Sequence, residues 1–211
     1  MKNILLLTPN SDTFTNPTMT TLFHLLNERG VNVYLFGPEQ QPACPGNIKN
    51  VNWIPSKFKL NLFRNPKNYA SHWKSYRDVK RILNQKKIKT VMAVDPLGLI
   101  IGGRVKRFLA KDIHLSYLSF EIFFKDELLG YYQKMKEKEI YYSKYIDSLL
   151  IQDEKRKQLL FQENKFDLPD EKVALVPVSP MKIEINEKLD LHKKFGIAKD
   201  KKLVVYSGSV G

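Results

Sequence analysis

The sequence predicts an α/β chain built on a parallel sheet with helices on both faces. Three observations carry this. Apolar runs such as 4–7 (ILLL) and 90–94 (TVMAV) are continuous rather than alternating, as expected of strands covered on both sides. Segments of helical period separate them, so strand and helix alternate along most of the chain. Turn chemistry falls at the junctions: Asn16-Pro17 opens a helix and Gly30 closes it.

The elements follow in order. Residues 4–7 form the first strand and 8–16 a polar loop. The helix from Pro17 carries an apolar stripe of Met19, Leu22, Phe23, Leu25 and Leu26, and VNVYLFGP supplies the second strand. Strand, helix and strand at this spacing form a right-handed parallel crossover. Residues 51–54 form a weak third strand, 72–85 a basic helix, 90–94 the fourth strand, 99–109 a helix and 113–120 the fifth strand. A helix over 126–145, a sixth strand in SLLIQ, a helix over 153–162 and a seventh strand in KVALVP complete the alternation. After Pro177 the pattern loosens. This suggests a first domain over 1–178, a linker over 179–188, and the start of a second domain over 189–211, where LDLHKKFGI is a short helix and KKLVVYSGSVG opens a strand-loop unit.

Composition narrows the class. With 43% hydrophobic and 11% aromatic residues, the 211-residue chain holds enough apolar material for a core, which excludes a disordered protein. Cys44 is the only cysteine, so an internal disulfide framework and a cysteine-rich zinc site are excluded, and a cytoplasmic location is expected. At the N-terminus, the apolar run 4–7 ends at Thr8-Pro9-Asn10. It is too short for a signal-peptide core or a membrane span, so any membrane contact is expected to be peripheral.

The net charge of +13 is concentrated. Between Lys57 and Lys89, eleven Lys and Arg residues face Asp78 alone. Lys57, Lys59, Arg64, Lys80, Arg81, Lys86 and Lys87 are interleaved there with Phe58, Leu60, Leu62, Phe63, Tyr69, Trp73 and Tyr76. That mixture suits the headgroup region of an anionic membrane; it equally suits a solvated basic helix whose rings belong to the core. No nucleic-acid-binding motif accompanies it, so nucleic acid is not an expected partner.

In an open parallel sheet, ligands bind beyond the carboxyl ends of the strands. After the first strand, TPNSDTFTN presents Asn10, Thr15 and Asn16, which either contact a sugar or anion or cap the following helix. After the fourth comes DPLGLIIGG. Asp95 ends an apolar strand, while Gly98, Gly102 and Gly103 either admit a ligand or pack helix against sheet. After the fifth, Glu121 lies among Phe120, Ile122, Phe123 and Phe124. That setting makes it either a desolvated carboxylate with a raised pKa or a group bonded to a helix N-terminus, and the first candidate for chemistry, with Asp95 in reserve. After the sixth, Gln152 and Asp153 share the edge, Asp153 as a substrate contact or an N-cap. His24, His72, His114 and His192 lack ligand spacing, and no Walker loop, GxSxG or Asp-x-Asp pair is present; neither a metal nor a bound cofactor is expected.

Three segments resemble the N-terminal half of GT-B glycosyltransferases, most closely retaining family four. EIYYSKYIDSLLIQDEKRKQLL resembles the stretch in which a helix glutamate, here Glu139, precedes an aspartate, here Asp147, that opens a strand. KVALVPVSP is similar to the strand leaving the first domain, and LDLHKKFGIAKDKKLVVYSGSVG to the re-entry helix and first strand of the donor domain. The resemblance implies a Rossmann-like acceptor domain as the first half of a two-domain GT-B fold, with a nucleotide-sugar as co-substrate held by a second half beyond residue 211. It implies a saccharide or lipid-linked acceptor, in surface polysaccharide or glycan assembly at the inner membrane face. Family members carry a histidine or similar polar group after the fifth strand, a position matched here by Glu121. They often carry paired glycines in the first helix-entry loop, which TFTNPT lacks. Two rivals stay open. One is a self-contained α/β protein that binds a nucleotide or small molecule alone; the other is a non-catalytic membrane- or partner-docking subunit.

Overall fold

The computed structural model describes residues 2–8, 16–37, 48–55, 69–177 and 190–204. The chain divides into two compact units, Met1–Pro180 and Met181–Gly211; the expected linker, 179–188, lies outside the described residues. The first unit alternates strand and helix: β1 (Lys2–Leu7), α1 (Pro17–Glu28), β2 (Val31–Gly37), β3 (Val51–Pro55), α2 (Tyr69–Gln85), β4 (Thr90–Val94), α3 (Asp95–Phe108), β5 (His114–Leu118), α4 (Gly130–Ser143), β6 (Ser148–Ile151), α5 (Glu154–Asn164) and β7 (Val173–Leu175). The second holds α6 (Leu191–Phe195), capped by Asp190 through the Lys193 N–H and ended by Gly196 at φ +64°. The strand expected at 203–206 falls mostly outside the described residues.

The sheet is parallel throughout, in the order β3-β2-β1-β4-β5-β6-β7. Its continuous apolar strands send alternate residues to opposite faces. Leu5, Leu7, Val91, Ala93, Leu115 and Tyr117 pack with Val79 and Leu83 of α2, Leu99 and Val105 of α3, Tyr142 of α4 and Leu160 of α5. Ile4, Leu6, Met92, Val94 and Leu118 pack on the other side with Met19 and Phe23 of α1. Full burial of each such side chain contributes about 1.5–3 kcal/mol before entropy is counted. The short, weakly apolar β3 is an edge strand ending in Pro55, where no further neighbour needs its N–H.

Three boundaries differ from expectation, each for a local reason. α3 begins at Asp95, four residues early, because Pro96 occupies its first turn, where a missing N–H costs nothing. β5 stops at Leu118 because the next free amides, on Phe120 and Glu121, donate to Asp95 rather than to a strand. α4 starts only at Gly130, at φ +58°, after a single 3-10 turn at Lys125–Glu127. Tyr76, one of the rings set among the cations of α2, is a core residue: it is buried and accepts a 2.7 Å hydrogen bond from Arg104 Nη1.

Beneath β5 lies a closed polar cluster. Lys136 and Glu139 of α4 are fully buried, with Lys136 Nζ 3.1 Å from Glu139 Oε2. Glu139 Oε1 accepts from Tyr117 Oη at 3.0 Å and from Asn164 Nδ2 at 2.9 Å, and Asn164 Oδ1 accepts from Lys136 Nζ. Asp147 accepts from the Leu115 N–H and from Lys106, fixing the start of β5. The glutamate and aspartate singled out in the sequence are therefore both engaged in structural bonds.

Candidate functional site

The strand order reverses direction at β1, so β1 and β4 flank the topological switch point, the place where open parallel sheets leave a crevice beyond their carboxyl ends. Asp95 stands there, directly after the last residue of β4. Its backbone takes φ +55°, a left-handed conformation that Asp tolerates better than most side chains but that still carries strain. Asp95 Oδ1 accepts from the N–H of Phe120 at 2.8 Å and of Glu121 at 3.2 Å. Among the described residues no donor reaches Oδ2. Burial pushes the carboxyl up to about 6; the two backbone N–H groups oppose the rise, and the charges of Glu121 and Glu139 add to it.

The loop that Asp95 holds is braced from β6. Gln152 Nε2 donates to Ser119 O at 2.9 Å, Arg156 Nε donates to Gln152 Oε1 at 2.7 Å, and a second nitrogen of Arg156 donates to Phe120 O. Asp95, Ser119, Phe120, Glu121, Gln152 and Arg156 thus form one hydrogen-bonded edge over β4, β5 and β6. The sequence marks Asp95, Glu121 and Gln152 by their place after strands. It does not mark Arg156, whose helical spacing of four from Gln152 is the only local signal.

The other candidates divide. Glu121 is exposed, not desolvated by its phenylalanines, so the half-buried, desolvated carboxylate of this edge is Asp95. Asp153 caps α5 through the Arg156 N–H at 2.9 Å, and Asn16 caps α1 through the N–H groups of Thr18 and Met19. Thr18 Oγ1, in the first turn of α1, is buried without a partner among the described residues. Asn10, Thr15, Lys57, Lys59 and Arg64 lie outside the described residues. Lys80 and Arg81 on α2 and Lys86 and Lys87 in the turn after it are exposed, with Arg81 paired to Asp78 at 2.7 Å. Among the described residues, no group of three His, Cys, Asp or Glu could hold a metal, and no helix is long and apolar enough to cross a membrane.

The glycines after Asp95 pack the helix. A Cβ on Gly98 would stand 2.7 Å from Leu7 O, on Gly102 2.7 Å from Leu115 Cδ1, and on Gly103 2.7 Å from Tyr142 Cδ1. The first obstacle is backbone and cannot rotate away. Gly98→Ala therefore lifts the first turn of α3 off the end of β1, at a cost of about 1–3 kcal/mol in urea unfolding. Gly102→Ala, which meets only the tip of a leucine, costs less.

No family model matches the sequence, and no curated protein does. Solved structures share the fold. Sucrose-phosphate synthase from Thermosynechococcus elongatus is 12% identical over 84% of this chain and 48% of its own, with a TM-score of 0.61. A glycosyltransferase from Rickettsia africae is 11% identical over 94% of this chain and 50% of its own, also at 0.61. The Anabaena protein HepE, solved with UDP and glucose, is 12% identical over 84% of this chain and 44% of its own, at 0.55. The chain spans about half the length of each. Sheet order, switch point and these likenesses show the fold: a Rossmann-like α/β domain, of the GT-B type that these chains share with it over about half their length.

Proposed function

We propose that this chain is the acceptor-binding half of a glycosyltransferase that moves a sugar from a nucleotide-sugar to an acceptor hydroxyl. The observation that carries the reading is Asp95: a desolvated carboxylate at the switch point of this fold, with one oxygen bonded and the other without a donor among the described residues. In the reaction, the acceptor oxygen bonds to the anomeric carbon, the bond from that carbon to the diphosphate breaks, the nucleoside diphosphate leaves with the electron pair, and the hydroxyl proton passes to the departing diphosphate or to water. With its carboxyl near 6, Asp95 is ionised at neutral pH. It accepts the hydrogen bond of the incoming hydroxyl and faces the positive charge that develops on the sugar. Glu121, next along the same edge, is the second carboxylate within reach of an acceptor. Neither metal nor bound cofactor enters this reading.

The nucleotide-sugar belongs to a second, nucleotide-binding half. Calorimetry with UDP and UDP-glucose is accordingly expected to show no binding by the 211-residue chain and binding by a form extended through that half. Binding by the short chain alone overturns this division and favours a self-contained nucleotide-binding protein. The finer reading is a cytoplasmic enzyme at the inner membrane face, acting on a lipid-linked acceptor in surface polysaccharide or glycan assembly. It rests on the basic, aromatic stretch at 57–89, and a liposome pull-down indifferent to anionic lipid and to charge reversal at Lys80, Arg81, Lys86 and Lys87 removes it.

A further inference from the structure

At the opposite end of the sheet, the amino ends of β1, β2 and β4 and the carboxyl ends of α1 and α2 enclose an open cleft of about 680 Å³. Lys2, Lys86, Lys87 and Lys89 line it together with Asn3 and Thr90, over an apolar floor. We propose that this cleft binds a phosphate group carried by a ligand distinct from the sugar donor and acceptor. The site stands independently of the role given to Asp95, since the length of β4, roughly 15 Å, separates the two.

Charge is the first argument. Four lysines line one concavity, and none of its described lining residues is a carboxylate. The acid beside it, Asp112, pairs at 2.9 Å with Lys89 on the exposed rim and leaves the other three uncompensated. Lysines at a helix carboxyl end complement its dipole, which accounts for Lys86 and Lys87. It does not account for Lys2 and Lys89, which come from strand starts. A phosphate dianion offsets the charge that Lys2, Lys86 and Lys87 leave uncompensated, and Lys binds phosphate as a point charge from any direction.

Order is the second. The Lys86 carbonyl accepts from Asn3 Nδ2 at 2.8 Å, and Asn3 Oδ1 accepts in turn from Asn32 Nδ2 at 3.1 Å. Lys87 turns the chain at φ +51°, and the Ile88 N–H closes the turn on Leu83 O at 2.8 Å. The Lys86 ammonium lies 5.5 Å from the centre of the Tyr34 ring. The backbone that presents both lysines is thus fixed to β1 before any ligand arrives.

Such a phosphate has two sources, a soluble metabolite or a phosphomonoester lipid headgroup. The test is an amide-shift titration of the 211-residue chain with inorganic pyrophosphate against sodium chloride at matched ionic strength. Vesicle co-sedimentation runs beside it, with phosphatidic acid in phosphatidylcholine against phosphatidylcholine alone. Saturable shifts confined to residues 2–3 and 85–90, weakened about tenfold or more by Lys87→Glu and less by Lys87→Gln, establish the site and a soluble source. Vesicle binding lost in the same variants, without saturation by pyrophosphate, establishes the site and a lipid source. Linear shifts spread over all lysines overturn the proposal, as does equal weakening by Lys80→Glu, which changes an exposed charge that does not line the cleft.

Discussion

Asp95→Asn is expected to make the protein more stable and less active at once. In the folded chain burial holds the carboxyl at about 6, against 3.8 for the free group. Because the folded state binds this proton more tightly, the stability that Asp95 supplies is fully present below pH 3.8 and is lost as pH rises through 6. Above that pH, folding must keep an ionised carboxylate half out of water, at a cost on the order of 2–3 kcal/mol. Asn removes the charge, keeps an oxygen for the Phe120 and Glu121 amides, and tolerates φ +55°. Urea unfolding should therefore show the variant ahead of the wild type by up to that amount at pH 8, with the gap closing toward pH 4.

Transfer by a form carrying both halves should move the other way. Loss of the charge that holds the acceptor hydroxyl is expected to lower kcat/KM by about 100-fold or more and to erase the acidic limb of the pH profile near 6. A variant that gains stability and keeps its rate would make Asp95 an expensive structural brace. If Glu121→Gln, and not Asp95→Asn, abolishes transfer, the exposed carboxylate holds the principal role.

These two carboxylates show how far the sequence could be read. Strand-helix alternation and the continuity of the apolar runs reveal the sheet, since both are local patterns imposed by burial on two faces. Strand order is not local, and only with it does the crevice move to β1 and β4 and single out Asp95. Glu121 looked desolvated because its neighbours are phenylalanines. Yet Ile122, Phe123 and Phe124 are themselves only partly buried in an irregular segment, and Glu121 points to solvent. Tyr76 shows the opposite limit: a ring among lysines reads equally as a membrane contact or as core, and the tertiary contact with Arg104 of α3 decides for the core. The cleft at the amino edge was hidden for the same reason, because Lys2 is more than eighty residues from Lys86 and only the pairing of β1 with β4 joins them.

The largest loss of stability is expected in the cluster beneath β5. Lys136 and Glu139 have no exposed surface, and Tyr117, Asn164 and Ser143 close the polar cluster around them. Lys136→Met leaves a buried carboxylate facing two neutral donors, and Glu139→Gln leaves a buried ammonium facing amide oxygens. Either change strands a charge, and each should cost about 3–5 kcal/mol in urea unfolding. The double variant strands none, so it should be more stable than both singles, and the coupling in the cycle should have the sign of repair. The contrast is Lys157, whose bonds to Glu154 at 2.6 Å and Asp170 at 3.1 Å reach carboxylates open to water. Lys157→Ala should cost no more than about 1 kcal/mol. If the two single variants at α4 behave as mildly, the cluster adapts to the loss of either partner and strands no charge. Strong destabilisation by the single variants also bears on the site above them, because the Glu139 charge is one of those that raise Asp95. A neutral residue at 139 should then bring the acidic limb of the transfer profile to lower pH while Asp95 itself is untouched.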